Sequence, residues 1–203
     1  FPYKIYGGLS FYQRKEVKDL LAYFRLSSNL NDDESLKRII NYPKRGIGLT
    51  TLNKAIICSN ENNVSVFSVL ENIGKYNLQI NSGTHAKINL FVSSIKKYNS
   101  NIDSKGCYEL ALEIAKESGL LKELSIDKSP EGIVRFENIQ ELLNGIQEFS
   151  NQKRDNSIST LGDFLIDVAL LTDTDNDDSN DKNRISLMTI HAAKGLEFPY
   201  VYI

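Results

Sequence analysis

The chain has 203 residues, 41% of them hydrophobic, 25% charged and 9% aromatic, with a net charge of −2. That composition is too apolar for a disordered chain and long enough for a substantial core, while the longest apolar run, the eight residues 164–171, carries Asp167 and falls far short of the ~18 residues of a membrane span. No basic segment leads into an apolar one as in a secretory signal, Cys58 and Cys107 belong to no paired motif, and His85 and His191 lack ligand spacing, so reduced thiols in a cytoplasmic protein are expected and a zinc site is not.

In chain order, residues 3–6 read as a short strand closed by Gly7-Gly8. Ser10 and Gln13 then make a capping box for a helix over about 10–26, with Val17, Leu20, Leu21 and Phe24 on one face. Asn31 and Glu34 make a second box, opening a helix that carries Leu36, Ile39 and Ile40 and stops ahead of Pro43. After a Gly46-Ile47-Gly48 turn, further helices are expected over 51–60, 64–73 and 84–98, the last with Ile88, Phe91, Val92 and Ile95 in a stripe. A helix over 108–118 ends at Gly119 in the C′ position. Ser129-Pro130 opens a long one with Phe136, Ile139, Leu143 and Ile146 inward, and Thr160 with Asp163 starts the last. Residues 172–183 are an acidic, apolar-free stretch expected to be a mobile linker. As a calcium loop counted from Asp173 it fails, because Asp178 stands where glycine is needed and Arg184 where glutamate is. Residues 185–190 read as a strand, and another begins near Tyr200. Strands at the two ends with helices between predict an all-helical domain inserted into a sheet formed by the chain's own ends. The chain opens on Phe1 and closes on a strand-like Val201-Tyr202-Ile203, so it is expected to be a piece of something larger.

Charge is uneven along this order. Residues 1–57 hold ten Lys or Arg against five acids, whereas 172–184 hold five aspartates against Lys182 and Arg184. The basic end is where a polyanion would go.

Three stretches could carry chemistry. In residues 41–51, a Gly-Ile-Gly turn between helices lets a phosphate approach the backbone closely. The free N–H groups of the next helix, Lys44, Arg45 and the hydroxyls of Thr50 or Thr51 could bind it without regard to base sequence. The same spacing serves an ordinary helix–helix turn, and spacing by itself leaves both readings open. Residues 187–198 run from a strand into a small-residue turn with Thr189, His191, Lys194 and Glu197, a location suited to a ligand-facing loop or to a structural histidine and a solvated ion pair. Residues 6–14 interleave Tyr6, Phe11 and Tyr12 with Arg14 and could stack bases and grip a phosphate; Phe11 is equally suited to the core. There is no GxxxxGK[ST] loop and no Ser-His-Asp, Cys-His or paired-carboxylate arrangement.

Taken together, PYKIYGGLSFYQRKEVKDLLAYFRL (2–26), NDDESLKRIINYPKRGIG (31–48) and ISLMTIHAAKGLEFPYVYI (185–203) resemble three blocks of the UvrD/PcrA/Rep branch of superfamily 1 DNA helicases. Their order and separation match, and weaker likeness includes SGL at 118–120 and RFENIQEL at 135–142. Departures are small: Val17 for the usual Ile, Phe24 for the usual Leu, and Ala192 where Ser or Ala occurs. The resemblance implies a mainly α fold, with a helical insertion (domain 2B, 29–183) between two pieces of a RecA-like α/β motor domain (2A, 1–28 and 184–203), the second carrying motif V. Hinges would lie near 27–31 and 172–184. It implies an ATP-dependent 3′-to-5′ DNA helicase as parent, using ATP and Mg²⁺, whose partners are a single-strand/duplex junction, the remaining motor domains and repair or replication proteins. Lys44, Arg45, Gly46, Ile47, Gly48, Thr50 and Thr51 would contact duplex DNA. Tyr6, Phe11, Arg14, Thr189 and His191 would face the single strand, and Gly195 and Glu197 the nucleotide. The fragment alone, lacking the Walker loops, is expected to bind no cofactor and to be inactive. A helical docking or regulatory domain with little DNA affinity is the competing expectation.

Overall fold

A computed structural model describes residues 3–6, 11–152, 158–174, 185–188, 190, 193–195 and 197–202. The chain is mainly α. Strand β1 (Tyr3–Tyr6) is followed by a short 3₁₀ turn (Phe11–Gln13) and the helices α1 (Lys15–Ser28), α2 (Asp33–Ile39), α3 (Leu49–Asn62), α4 (Val66–Glu71), α5 (Ser82–Ser100), α6 (Cys107–Glu117), α7 (Leu120–Ile126), α8 (Pro130–Gln152) and α9 (Leu161–Thr174), then strand β2 (Ile185–Met188). The two strands pair in parallel, Tyr3 opposite Ile185 and Tyr6 opposite Met188, so the whole helical body is the crossover between them.

Local chemistry explains most of the boundaries. Thr160 and Asp163 form a reciprocal box at the start of α9, the Thr160 N–H donating to Asp163 Oδ2 at 3.0 Å and the Asp163 N–H to Thr160 Oγ1 at 3.2 Å. Ser129 Oγ accepts from the Gly132 N–H at 3.0 Å, and Pro130 opens α8. Gly119 adopts φ +84° and turns the chain out of α6, as its C′ placement predicts.

Five expectations are corrected. The first helix does not run from residue 10: Phe11–Gln13 make a 3₁₀ turn, Arg14 is extended (ψ 141°), and α1 begins at Lys15. Ser10 lies outside the described residues. The cap of α2 is Asp32, whose carboxylate takes both the N–H and the hydroxyl of Ser35 at 2.9 and 2.7 Å. Asn31 instead donates its N–H to Asn29 Oδ1, while Glu34 turns outward to Lys37. Residues 120–126, given no element by pattern, form α7, because Leu120 and Leu124 reach the core one turn apart. Of the acidic stretch, 172–174 complete α9 and 175–184 lie outside the described residues; 199–202 form no strand.

Helix α1 is the centre of the core. Val17, Leu20, Leu21, Tyr23, Phe24 and Leu26 are at most 1% exposed, a wider belt than the predicted stripe, because α2, α5, α6, α8 and α9 all pack on it. Lys15, Lys18 and Arg25 keep a single side in solvent. The helices of 1–28 and 29–183 therefore share one apolar cluster. Cys107 is buried in it, which pushes its thiol up to about 12, and Cys58 is half-buried; neither is in a disulfide. Among the described residues no helix is long and apolar enough to cross a membrane.

Candidate nucleic-acid interface

The turn between α2 and α3 is built by one side chain on each side of it. Asn41 Oδ1 accepts the N–H groups of Arg45 and Ile47 at 3.0 and 3.1 Å, folding the loop over its own start. Ile47, 2% exposed, anchors the turn in the core, so its contribution is to packing rather than to a ligand. Gly46 adopts φ +73°, a region that costs an L side chain roughly 1 kcal/mol or more. Gly48 caps α3 with open space where a Cβ would stand.

Arg45 points inward. Its Nη1 donates to the carbonyls of Ile39 (2.9 Å), Pro43 (3.2 Å) and Ile40 (3.4 Å), and its Nη2 to Tyr23 Oη (2.5 Å) and Ser118 O (3.1 Å). The guanidinium lies 5.3 Å from the Phe91 ring centre and 5.8 Å from that of Tyr23. Tyr23 in turn donates its hydroxyl to Tyr42 O at 2.6 Å; burial raises its pKa, and Arg45 opposes the rise. The planar fork that suits a phosphate is thus spent on five acceptors of the fold. This joins the RGIG segment to the SGL segment, whose Gly119 lies under the Pro43 ring.

The groups that remain for a ligand are external. Lys44, Gly46, Gly48 and Thr50 are exposed and Thr51 is half-buried. Among the described residues the N–H groups of Gly48, Leu49 and Thr50 meet no acceptor, and Lys44 meets no carboxylate. These donors sit at the positive end of the 14-residue α3. Lys87, from α5, reaches across: its Nζ stands 2.8 Å from where a Cβ on Gly46 would be. Nothing in the sequence spacing marks Lys87, which follows Gly46 by 41 residues.

A second cluster gathers around Arg14. Its Nη1 donates to Asn138 Oδ1, while Asn138 Nδ2 donates to Glu16 Oε1 at 2.5 Å. The guanidinium lies 5.4 Å from the Phe11 ring centre, and Phe11 meets Tyr12 edge-on at 5.4 Å. Asn138 and Glu16 are buried and Phe11 half-buried, so this constellation is partly structural. Asn138 was not among the expected site residues, although RFENIQEL contains it. Of the other single-strand candidates, Tyr6 lies in β1, and Thr189 and His191 lie outside the described residues. Beyond β2, Gly195 turns at φ +84° with open space among the described residues where a Cβ would stand, and Lys194 and Glu197 are exposed.

The profile of the UvrD-like helicase C-terminal domain matches residues 1–203, and the chain belongs to that family. It is 39% identical to the ATP-dependent DNA helicase PcrA of Bacillus subtilis over 210 residues, covering 99% of this chain and 27% of that protein. It is 35% identical to the probable DNA helicase II homolog of Rickettsia felis over 202 residues, all of this chain and 29% of the relative. With PcrA of Staphylococcus aureus the identity is 36% over 204 residues, all of this chain and 27% of the relative. The chain thus spans under a third of the length of the curated relatives it matches.

Proposed function

We propose that the chain is the part of an ATP-dependent 3′-to-5′ DNA helicase that grips the duplex ahead of the fork, through the turn at residues 44–51. The observation that carries this reading is the row of N–H groups at the start of α3 that meet no acceptor among the described residues, beside Lys44, in a turn shaped by the hydrogen bonds of Asn41 and Arg45. Such donors bind phosphate oxygens, so the contact would be independent of base sequence and weakened by salt. Within the turn the roles divide: Gly46 and Gly48 give clearance, Lys44, Thr50 and Thr51 supply donors, and Arg45 and Ile47 hold the shape.

The rest of the reading follows the family. Residues 29–183 would be the 2B insertion, with 1–28 and 184–203 the adjoining pieces of the motor domain 2A. Phe11 and Arg14, with Tyr6, Thr189 and His191, would face the single strand, and the motif V loop with Gly195 and Glu197 would couple that strand to the nucleotide. On this reading the chain would not hold Mg·ATP by itself. The sequence lacks a phosphate-binding GxxxxGK[ST] loop, and no group of three His, Cys, Asp or Glu that could hold a metal occurs among the described residues. The ATP chemistry would belong to the rest of the parent, and the chain alone should release no phosphate from ATP in the presence of single-stranded DNA. Repair or replication proteins and the other motor domains would be its protein partners.

The test is a fluorescence-anisotropy titration of the chain with a single-strand/duplex junction at two salt concentrations, beside duplex and single strand alone. Salt-sensitive binding of duplex or junction, weakened by Lys44→Glu, supports the reading. Absence of binding at low salt would overturn it in favour of a protein-docking domain. Lys44 is the residue to reverse, because reversing Arg45 would break the turn itself.

A further inference from the structure

We infer that the cleft between α1, α5 and the end of α6 is a binding site for a small uncharged molecule, largely apolar, that presents one hydrogen-bond acceptor to the hydroxyl of Tyr98. The cleft has a volume of about 290 Å³. One wall is a stripe of α5 running from Phe91 through Ile95 to Tyr98, and the other is Tyr23 with the Glu117-Ser118 end of α6. Tyr98 is 1% exposed, and its hydroxyl meets neither donor nor acceptor among the described residues. The ionisable groups that act on that hydroxyl include Glu117 and Tyr23, both of which line the cleft. Tyr23, equally buried, shows what such a group ordinarily has: it donates to Tyr42 O at 2.6 Å and accepts from Arg45 at 2.5 Å. A buried hydroxyl without a bond is costly and uncommon, so the proton of Tyr98 marks where an acceptor from outside the fold would sit.

The charges around the cleft select a neutral occupant. Arg45 is committed to five acceptors of the fold, and Glu117 holds Lys97 with both carboxylate oxygens, at 2.8 and 2.9 Å. Lys87, which also lines the cleft, is exposed to water, and water weakens its pull on an anion. An ion entering the cleft would lose hydration without gaining a buried counter-charge, whereas a neutral apolar body loses little. It would also cover apolar surface, since Leu90 on the same wall is 71% exposed. Tyr98 is not one of the donors of the α3 turn, so occupation of the cleft does not depend on DNA binding there.

The experiment uses quinoline, which is uncharged at neutral pH and carries a single ring nitrogen as acceptor, beside naphthalene, which has the same shape and no acceptor. Amide chemical shifts of the isotope-labelled chain are followed for wild type, Tyr98→Phe and Ser94→Trp. Quinoline should shift the amides of Phe91, Tyr98 and Ser118 saturably. Tyr98→Phe should weaken quinoline about 3- to 10-fold and leave the response to naphthalene unchanged. Ser94→Trp, at an exposed position of the same wall, should close the cleft to both probes. Because Tyr98→Phe removes a hydroxyl that bonds to nothing in the fold, it should melt with the wild type or slightly above it. Absence of saturable shifts around the cleft, or undiminished quinoline affinity in Tyr98→Phe, would overturn the inference. A lowered Tm in Tyr98→Phe would overturn it as well, by showing that the hydroxyl is already bonded in the free chain.

Discussion

Replacing Arg45 by alanine separates a scaffold from a contact. The side chain makes three well-placed hydrogen bonds, to Ile39 O at 2.9 Å, Ser118 O at 3.1 Å and Tyr23 Oη at 2.5 Å, and two weaker ones. For a half-buried cation, about 1 kcal/mol for each of the three is a moderate figure, and the two ring contacts add about 0.5 kcal/mol each. Arg45→Ala should therefore cost roughly 4 kcal/mol, which for a domain of this size lowers Tm by about 10 °C. Arg45→Lys should recover little, since one ammonium cannot span acceptors on α1, α2 and the end of α6. Thermal melting followed by circular dichroism measures the loss, and anisotropy below the transition measures DNA binding. The folded variant should retain the salt slope of the wild type, unlike Lys44→Gln. Melting within 2 °C of wild type, together with a slope lowered by about 0.9, would show that Arg45 contacts phosphate and would refute this account.

Asn138→Ala should cost about 2–3 kcal/mol in urea unfolding, because it strands the buried Glu16 carboxylate and the Arg14 guanidinium. The exposed Asn144→Ala, on the same helix, should stay within about 0.5 kcal/mol, and equal effects at the two positions would dismiss the bridge. Hydrogen bonds from Lys105 and Lys97 hold the Glu113 carboxyl below the usual range. Its contribution is therefore present above the unfolded glutamate value, about pH 4.3, and lost as pH falls through the lower folded value. Glu113→Gln should flatten the acid limb of a stability–pH curve, and an unchanged limb would contradict the assignment. Burial pushes the Cys107 thiol up to about 12, so a thiol reagent at pH 8 should spare it in the native chain and reach it only in denaturant. Prompt reaction of two thiols per native chain would count against that burial.

What the sequence determined by itself was whatever depends on neighbours a few residues apart. The Thr160–Asp163 box, the Ser129-Pro130 start of α8, the turn at Gly119 and the stripe from Ile88 to Ile95 all follow from local hydrogen bonding and helical periodicity, and the structure has each. The short-range competition at 29–35 was already less legible: Asn31 and Asp32 both suit a cap, and it is Ser35 that settles the choice by giving two hydrogens to Asp32. Helix α7 escaped the pattern because its two buried leucines, Leu120 and Leu124, matter only once α8 lies beside them.

The tertiary structure decided which polar residues of a motif face outward. Lys44 and Arg45 are adjacent and chemically alike in sequence, yet one is exposed and meets no carboxylate among the described residues, while the other closes a network reaching Ser118, 73 residues away. Chain order cannot signal that difference, since it depends on carbonyls and rings delivered by α1, α5 and α6. Lys87 became a neighbour of Gly46 by the same packing, and Asn138 came to lie between Arg14 and Glu16 across more than 120 residues. Turn geometry and caps are set by bonds a few residues long, whereas the partners of a charged side chain are set by whichever helices the apolar core brings around it.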